Sequence, residues 1–373
     1  MRIIGIGILA FLLYYLQQQL YRRRWSKSLY VTLKFHKTSL FEGEESRLYE
    51  VIENRKKLPL PMLKVKFQTS RNLEFADIEG SRVTDYFYRN DVFEVGGGER
   101  ITRTLQFTGK KRGYYKINGI DLVGADLFLS CELLESREAN QYIYVYPKPL
   151  MSREFMLSLK QLNGEVLTKR HLLEDPFEYR GIREYQPYDD VRTVNWKATA
   201  RMEDLMVNER NYTALKSIRI FLNIEDTGIL KKEEAVEAAI RIAAGAAEYF
   251  LKQGMSVECC CNGRDVLDGT YMQVSSGAGY AQMERINRSL SRIDAGKETY
   301  SFGECFRNKL WKEGTGSMTL FVAPNAYEEF VRLLTEYHAQ GKDFVWFYPV
   351  LEKDSFVLPP ELKKNIRIIP VGK

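Results

Sequence analysis

The sequence has 373 residues, 45% of them hydrophobic, with 55 basic and 49 acidic side chains and a formal net charge of +6. This length predicts two soluble domains with accessory segments. Because the numbers of basic and acidic side chains are nearly equal, the sequence lacks the strong basic excess that is typical of nucleic-acid-binding proteins. Five cysteines without paired spacing and three scattered histidines predict a reducing compartment, and they supply neither a disulfide framework nor a zinc or histidine-based site.

The first 24 residues predict a transmembrane anchor. Ile3 to Leu16 is apolar apart from two tyrosines, and three glutamines and the basic cluster Arg22, Arg23 and Arg24 follow. Counting from Met1 to Tyr21 gives the roughly 20 residues that cross a bilayer. A cleaved secretion signal is the alternative, but no small-x-small cleavage site precedes the arginines. The basic excess on the C-terminal side predicts a single-pass protein of the cell membrane with the bulk of its chain in the cytoplasm.

Residues 29–147 predict an all-β, immunoglobulin-like sandwich. Short alternating runs are separated by turn-forming residues, and no helical period occurs between them. About six or seven such strands are typical of this fold. The Asn118-Gly119 pair predicts a turn, and the basic segment around Lys110, Lys111 and Arg112 predicts a hairpin tip rather than a phosphate loop, because no helix start follows it. The predicted strands are Leu29 to Phe35, Ser46 to Ile52, Leu63 to Gln68, Arg82 to Tyr88, Ile101 to Phe107 and Tyr142 to Tyr146.

Residues 148–216 predict a connecting helix followed by a densely charged joint between two domains. The helix spans Glu154 to Leu162 and ends at Asn163-Gly164. From Glu174 to Arg210, charges of both signs alternate with aromatic rings, which predicts a semi-buried ion network. Asp189 or Asp190 is the expected N-cap of a helix that runs to about Met202.

Residues 217–373 predict an α/β domain with a doubly wound sheet, because buried strands alternate with amphipathic helices. The sequence predicts a hairpin at Asn262-Gly263 and a last helix that is capped by Asn325. The predicted strands are 217–224, 256–261, 318–323, 344–350 and 366–371, and the predicted helices are 231–253, 282–292 and one that ends at Gly341.

Oxygen-bearing side chains follow the first of these strands, in Asn223-Ile224-Glu225-Asp226-Thr227. Ligands of doubly wound sheets collect beyond the carboxyl ends of the strands, and oxygens at alternate positions suit a hard cation such as Mg²⁺. The alternative is that Asp226 or Thr227 caps the following helix. The sequence favours the cap, because one such loop supplies too few ligands.

Between Gly181 and Arg201 the charged joint contains a glycine, an arginine and a tyrosine, then a Pro-x-Asp-Asp-x-Arg run, then a tryptophan and an Ala-Arg pair. This pattern resembles a known family, the one catalogued as domain of unknown function 58. The match departs at Tyr188, where the family usually has glycine, and at Asn195, where aspartate is common. Weaker likeness extends to Gly43, to Asn54 and to Arg112-Gly113-Tyr114. The matching residues are Gly181, Arg183, Tyr185, Pro187, Asp189, Asp190, Arg192, Trp196, Ala200 and Arg201.

The resemblance implies a membrane-anchored protein whose α/β domain is similar to a von Willebrand factor A domain. It also implies a MoxR-type AAA+ ATPase as partner, often with transglutaminase-like proteins, and it establishes no enzymatic activity. The metal loop of A-type domains reads Asp-x-Ser-x-Ser, and this chain has Asn223, Glu225 and Thr227 at those positions. A metal site there is therefore expected to be degenerate, and no cofactor is expected.

Two functions follow from different classes of protein. The favoured one is a non-enzymatic, membrane-tethered interaction or scaffold protein, whose joint residues lock two domains together or form a partner surface. The alternative is a metal-assisted hydrolase that uses Asp189 and Asp190 with Glu178 or Glu184. Adjacent aspartates point in different directions and rarely act as a pair, which disfavours the hydrolase. A nucleic-acid partner is not expected.

Overall fold

The computed structural model describes residues 2–170, 174–186, 189, 191–202, 204–212, 217–226, 228, 232–311, 317–351 and 360–371. The chain divides into two compact units, Met1–Lys148 and Pro149–Lys373. The first unit is a helix followed by β-strands, and the second mixes helices and strands.

The first unit opens with helix α1, Arg2–Arg24. Its segment Ile3–Arg24 contains an 18-residue window that has a mean hydropathy of 1.5 and is not buried by the rest of the chain, so by length and composition the helix can cross a membrane. Ten strands follow: β1 Leu29–Phe35, β2 Ser39–Phe41, β3 Glu45–Asn54, β4 Leu60–Ser70, β5 Leu73–Phe75, β6 Ser81–Val83, β7 Tyr86–Val95, β8 Arg100–Gly109, β9 Gly113–Ala125 and β10 Glu132–Tyr146.

These strands form two sheets, one in the order β1-β3-β8-β5 and the other in the order β2-β10-β9-β4-β7-β6. Alternate residues of each strand face inward, as the period of two requires. Leu33, Leu48 and Phe107 of the first sheet share one buried core with Ile120 and Val145 of the second. The predicted all-β unit is therefore present as two sheets packed on a common core.

The structure corrects several predicted boundaries in this unit. Strand β9 continues through Asn118-Gly119, so the turn predicted there is wrong. Gly119 pairs with Glu138 of β10 next to a register shift, and the pairing of the strand on both sides of that shift overrides the local turn preference. The predicted strand Arg82 to Tyr88 is instead the hairpin between β6 and β7.

The second unit contains a separate two-stranded hairpin and one larger sheet with helices on both of its faces. In chain order its elements are α2 Arg153–Arg170, β11 Glu174–Glu184, a 3-10 helix Val191–Thr193, α3 Trp196–Met202, β12 Met206–Tyr212, β13 Ser217–Leu222, α4 Glu233–Lys252, β14 Ser256–Asp265, β15 Tyr271–Gly277, α5 Gly279–Ser291, β16 Ile293–Asp294, α6 Phe302–Trp311, β17 Ser317–Val322, α7 Glu328–Ala339, β18 Phe344–Val350, a 3-10 helix Pro360–Leu362 and β19 Ile366–Pro370.

Within the described residues, the main sheet has the order β15-β14-β13-β17-β18-β19, and β16 also pairs with β14. All neighbours from β14 to β19 in this order are parallel, and β15 is antiparallel to β14. Helices α2, α4 and α5 share a core with one face of the sheet. Helices α6 and α7 pack with Phe221 and Trp346 on the other face.

Helix α4 lies against this sheet through an alanine-rich face that allows a close approach. Its Gly245 also faces the chain that leads into α2. A Cβ atom added there would lie 2.5 Å from the Leu150 carbonyl oxygen, and the Leu150 amide donates to the Arg241 carbonyl at 3.0 Å. The missing side chain therefore lets the connecting segment pass directly over the helix.

Several predicted ends in this unit are also wrong. Helix α2 continues beyond Asn163-Gly164 to Arg170. Strand β14 continues through the predicted hairpin at Asn262-Gly263 to Asp265. Helix α7 starts at Glu328 with Tyr327 as its N-cap, because the side chain of Asn325 donates instead to the Glu225 carbonyl. Helix α6 was not predicted.

Strand β14 contains three consecutive cysteines. Cys259, Cys260 and Cys261 are buried, with Cys259 and Cys261 on the α4 face and Cys260 on the α6 face. Burial raises the pKa of the Cys260 thiol to about 11, although the Lys309 ammonium, 3.3 Å from its sulfur, acts in the opposite direction. These thiols are core side chains.

Candidate functional site

The residues that resemble the family lie on a small hairpin, residues 181–208, which we call the signature segment. Strands β11 and β12 pair antiparallel, with Gly181 opposite Glu209 and Arg183 opposite Val207. The 3-10 helix and α3 lie between these strands in the chain. Pro187 and Asp190 lie outside the described residues.

A bidentate ion pair closes the first half of the signature segment. Arg183 donates from Nη1 and Nη2 to the two carboxylate oxygens of Asp189, at 2.6 Å each. Asp189 Oδ2 also accepts the backbone N–H of Gln186 at 2.8 Å. The hydrogen bonds from Arg183 hold the pKa of Asp189 below its ordinary value. Both oxygens of Asp189 therefore have donors within its own loop.

Asn195 organises the second half of the segment. Its Oδ1 accepts the N–H of Ala198 at 3.0 Å, which is the N-cap geometry for α3, and its Nδ2 donates to Asn208 Oδ1 at 2.7 Å. Its own N–H donates to the Met206 carbonyl, and the Met206 N–H donates to Thr199 Oγ1. Asn195, one of the two departures from the family pattern, is thus the capping residue.

The helix predicted from Asp189 or Asp190 to Met202 is therefore wrong in its start and its cap. The chain forms the 3-10 turn, leaves helical geometry at Val194 and restarts at Trp196. Val194 pairs with Val207 in an isolated β-bridge, and both side chains are buried. Burial of Val194 against β12 accounts for the break.

The signature segment exposes several large apolar side chains. Trp196 is 67% exposed, and four other large apolar side chains of the segment are exposed as well. We call these five residues the apolar platform: Ile182, Val191, Trp196, Met202 and Leu205. Arg192, Ala200 and Arg201 are exposed too, so the burial predicted for the charged joint is wrong at these residues and at Trp196.

Of the predicted ion network, the pair between Arg183 and Asp189 is present. Tyr185 contributes through its backbone, whose N–H donates to the Leu205 carbonyl at 2.8 Å. The platform could not be predicted from the residues alone, because Val191 and Met202 fit the apolar face of the longer predicted helix.

A second candidate site lies at the carboxyl edge of the main sheet, where the strand order reverses between β13 and β17. Asn262 is buried there and joins three segments. Its Oδ1 accepts the Ile224 N–H at 2.9 Å, and its Nδ2 donates to Asn223 Oδ1 and to the Tyr300 carbonyl, both at 2.9 Å. Sequence reasoning missed Asn262, because Asn-Gly is also the strongest hairpin signal.

The acidic side chains of this edge are largely committed to the protein itself. Asp226 accepts N–H groups from Gly228 and Lys232, and the Tyr327 hydroxyl, at 3.1, 2.7 and 3.0 Å. Asp226 thus holds the loop before α4, but the N-cap of that helix is Lys232, so the predicted Asp226 cap is wrong. Burial raises the pKa of Glu225, and Glu329 raises it further.

These residues do not fit a metal ion of the A-domain type. Asn223 Oδ1 already accepts from Asn262 and from the Glu225 N–H, and the oxygens of Asp226 have donors of their own. Among the described residues, no group of three or more His, Cys, Asp or Glu side chains is placed to hold a metal. Thr227 lies outside the described residues. We therefore derive no chemistry from a metal at this edge.

Comparison with protein families identifies the signature segment. Residues 181–259 match the family model described as "Protein of unknown function DUF58". The chain is similar to this family over that range. The predicted resemblance is confirmed, and the matched range extends from β11 of the signature segment into strand β14. A search of curated proteins gives no match.

Solved structures resemble parts of this chain at low identity. They include the CARDB domain of a Pyrococcus furiosus protein, with 18% identity, 31% of this chain and 91% of that chain covered, and a TM-score of 0.22. A type II cohesin domain from Acetivibrio cellulolyticus has 8% identity, coverages of 32% and 95%, and a TM-score of 0.24. A non-cellulosomal cohesin from Archaeoglobus fulgidus has 12% identity, with 34% of this chain and 96% of that chain covered, and a TM-score of 0.22. These scores support no argument about function.

The residues outside the matched range that resemble the family have structural roles. Asn54 is buried and donates from Nδ2 to the carbonyls of Leu58 and Gly96, which fixes the loop after β3. Gly43 has φ +83° in the turn before β3, a conformation that favours glycine. The buried Arg112 donates its N–H to Glu42 Oε1. This part of the resemblance reflects the β fold.

Proposed function

We propose that this protein is a membrane-tethered, non-enzymatic interaction protein whose α/β unit works with a MoxR-type AAA+ ATPase during the assembly or maturation of a complex. The anchor is α1, the β unit is immunoglobulin-like, and the α/β unit is a von Willebrand factor A-like domain in the cytoplasm. The ATPase is the partner that the family resemblance implies.

The observation that supports this proposal is the apolar platform on the signature segment. Exposed large apolar side chains on a fixed backbone mark interaction surfaces, because burying them is favourable and the fixed backbone loses little entropy on binding. Here the Arg183–Asp189 pair and the Asn195 cap fix the backbone. Trp and Arg, both exposed in α3, are the residue types most enriched among interface hot spots.

The α/β unit supports the A-domain assignment through its strand order. Its central strand β13 leads to α4 and then to the neighbouring β14, and the later strands β17, β18 and β19 add on the other side. The metal-assisted hydrolase remains the alternative from the other class of function. Nothing in the described residues favours it, since the Asp189 carboxylate is held by Arg183 and lies in no described cluster of metal-ligating side chains.

The test measures binding of the purified, detergent-solubilised chain to a purified MoxR-type ATPase from the same organism. Trp196→Ala is expected to weaken binding roughly 30-fold, the loss typical of a central hot spot, because a large apolar contact is removed. The melting temperature should not change, since Trp196 is mostly exposed.

The matched control is Tyr280→Ala, which removes another exposed aromatic ring, 77% exposed, from helix α5 of the same unit. It should leave the affinity unchanged. Asp189→Ala distinguishes a partner-binding role of the signature segment from a purely structural one. A loss of binding at an unchanged melting temperature supports the partner-binding role. Unchanged affinity in Trp196→Ala and in Asp189→Ala contradicts the proposed surface.

A further inference from the structure

The loop between β9 and β10 exposes three consecutive apolar side chains. Leu127, Phe128 and Leu129 are each more than half exposed, and Phe128 reaches 62%. They lie between the polar residues Asp126 and Ser130 at the tip of a hairpin. These side chains are not buried within this chain, so their apolar surface is available for contact with another molecule or with a membrane.

The loop has a defined conformation. The buried Asp126 accepts the Ser130 N–H and hydroxyl at 2.6 and 2.5 Å, and the Cys131 N–H at 3.2 Å. Leu129 has φ +56°, a left-handed conformation that is unfavourable for a bulky side chain. The Leu129 N–H donates to the Asp126 carbonyl at 3.0 Å. Asp126 thus holds the backbone in a strained form that turns the apolar side chains outward.

The loop is attached to α1 at a defined level of that helix. Gln17 Nε2 donates to Asp126 Oδ2 at 2.9 Å, and the Tyr14 and Phe128 rings lie 5.9 Å apart. About one turn beyond Gln17, Tyr21 is 3% exposed and its hydroxyl donates to the Pro59 carbonyl. Trp25 is also buried in the β unit. The end of α1 therefore packs on protein, and its apolar part before Gln17 does not.

This attachment leaves a short apolar span. Ile3 to Leu16 has fourteen residues, which at about 1.5 Å per residue reach about 21 Å, less than the roughly 30 Å of a hydrocarbon core. A short span is accommodated by thinning the bilayer or by adding apolar surface at its end. Leu127, Phe128 and Leu129 supply such surface at that end, and Arg22, Arg23 and Arg24 follow where lipid headgroups would lie.

We propose that Leu127, Phe128 and Leu129 insert into the headgroup–acyl boundary of the same bilayer that α1 crosses. The loop is thus a second membrane contact, which fixes the depth and tilt of the β unit at the surface. This inference rests on the membrane anchor of the proposed function. We favour a phospholipid surface over a protein partner because the loop contacts the membrane-spanning helix at the end of its apolar part.

The experiment uses the full chain, reconstituted in phosphatidylcholine–phosphatidylglycerol vesicles that contain lipids brominated near the headgroup end or near the middle of the acyl chain. Phe128→Trp places a fluorophore at the loop tip, and Leu127→Trp is a second variant. The added fluorescence is expected to shift to the blue and to be quenched roughly twofold more by bromines near the headgroup end than by those in the middle, as for a side chain at the interface.

Tyr86→Trp is the matched control, because Tyr86 is an exposed ring of the same unit whose strand register places it at the opposite end of β4 from the loop. Its added fluorescence should be neither shifted nor quenched. If both loop variants behave like this control while the chain co-floats with vesicles, the loop contact is wrong. If the wild-type chain does not co-float, the anchor itself is wrong. Loop fluorescence that shifts only when chain concentration rises would indicate a second copy as the occupant.

Discussion

Glu50 is the most unusual ionisable residue of the β unit. It is buried on β3, and its two oxygens accept no hydrogen bond from the described residues. Nearby, Asp91 accepts from Arg89 at 2.6 Å and from Arg103 at 2.8 Å. Burial, followed by the charge of Asp91, raises the pKa of Glu50 to about 8. Protonated Glu50 can donate a hydrogen to Asp91, which accounts for its place there.

This pKa predicts how stability depends on pH. The folded state holds the proton up to about pH 8, whereas the ordinary pKa of the unfolded chain is 4.5. The folded state therefore binds more protons between these values, so stability falls as pH rises through that window and then levels off. Glu50→Gln removes the titrating group, and at pH 9 it should raise the melting temperature of the β unit by roughly 5 °C, as measured by calorimetry.

The control for this prediction is Glu53→Gln on the same strand. Glu53 pairs with Arg55 near the surface, and hydrogen bonds from Arg55 hold the pKa of Glu53 below its ordinary value. This variant should give no gain in melting temperature at pH 9. A wild-type protein that is equally stable at pH 5 and pH 9 would contradict the interpretation of Glu50.

At the scale of elements, the packing of α1 against β9 depends on one glycine. The Trp25 ring, just beyond α1, covers Gly124, and a Cβ atom added at residue 124 would lie 2.4 Å from Trp25 Cε3. Because the tight contact involves a ring held in the core, the ring must move. Gly124→Ala should therefore lower the free energy of unfolding by about 1–3 kcal/mol.

Limited proteolysis between α1 and β1 should also become faster in Gly124→Ala, because Trp25 anchors that connection. The matched control is Gly181→Ala in β11, where an added Cβ meets no atom within 4 Å. It should leave stability unchanged. A Gly124→Ala chain that is as protease-resistant as the wild type would mean that the ring is not confined.

At the scale of the whole molecule, elements with uninterrupted periodicity could be predicted from the sequence. Strand β1 was predicted with its observed ends, since Leu29 to Phe35 alternates buried and exposed residues throughout. The class of each unit also followed, because that depends on many such elements. The errors occur where one residue has a tertiary partner: Asn262 and Asn325 resemble a turn and a cap, yet their amides bond to distant backbone.

The candidate site was predictable in position but not in character. The charge density and the family pattern located the signature segment. They could not indicate that Arg183 takes Asp189 as its partner, nor that Trp196 faces outward, since both depend on how the segment folds on β12. The exposed loop at Leu127–Leu129 could have been predicted from the sequence. It has three apolar residues between an aspartate and a serine, where a turn would ordinarily be polar.

The reactivity of the three buried cysteines of β14 can be used to measure unfolding of the α/β unit. A thiol reacts as its thiolate, and burial that raises the pKa of the Cys259 and Cys260 thiols suppresses that form. A water-soluble alkylating reagent should therefore modify them only during transient openings of the sheet. Mass spectrometry of the native protein over time should show these three labels appearing together and later than the label on the half-buried Cys131. Early, independent labelling of any of the three would show that the strand opens locally rather than with the whole sheet.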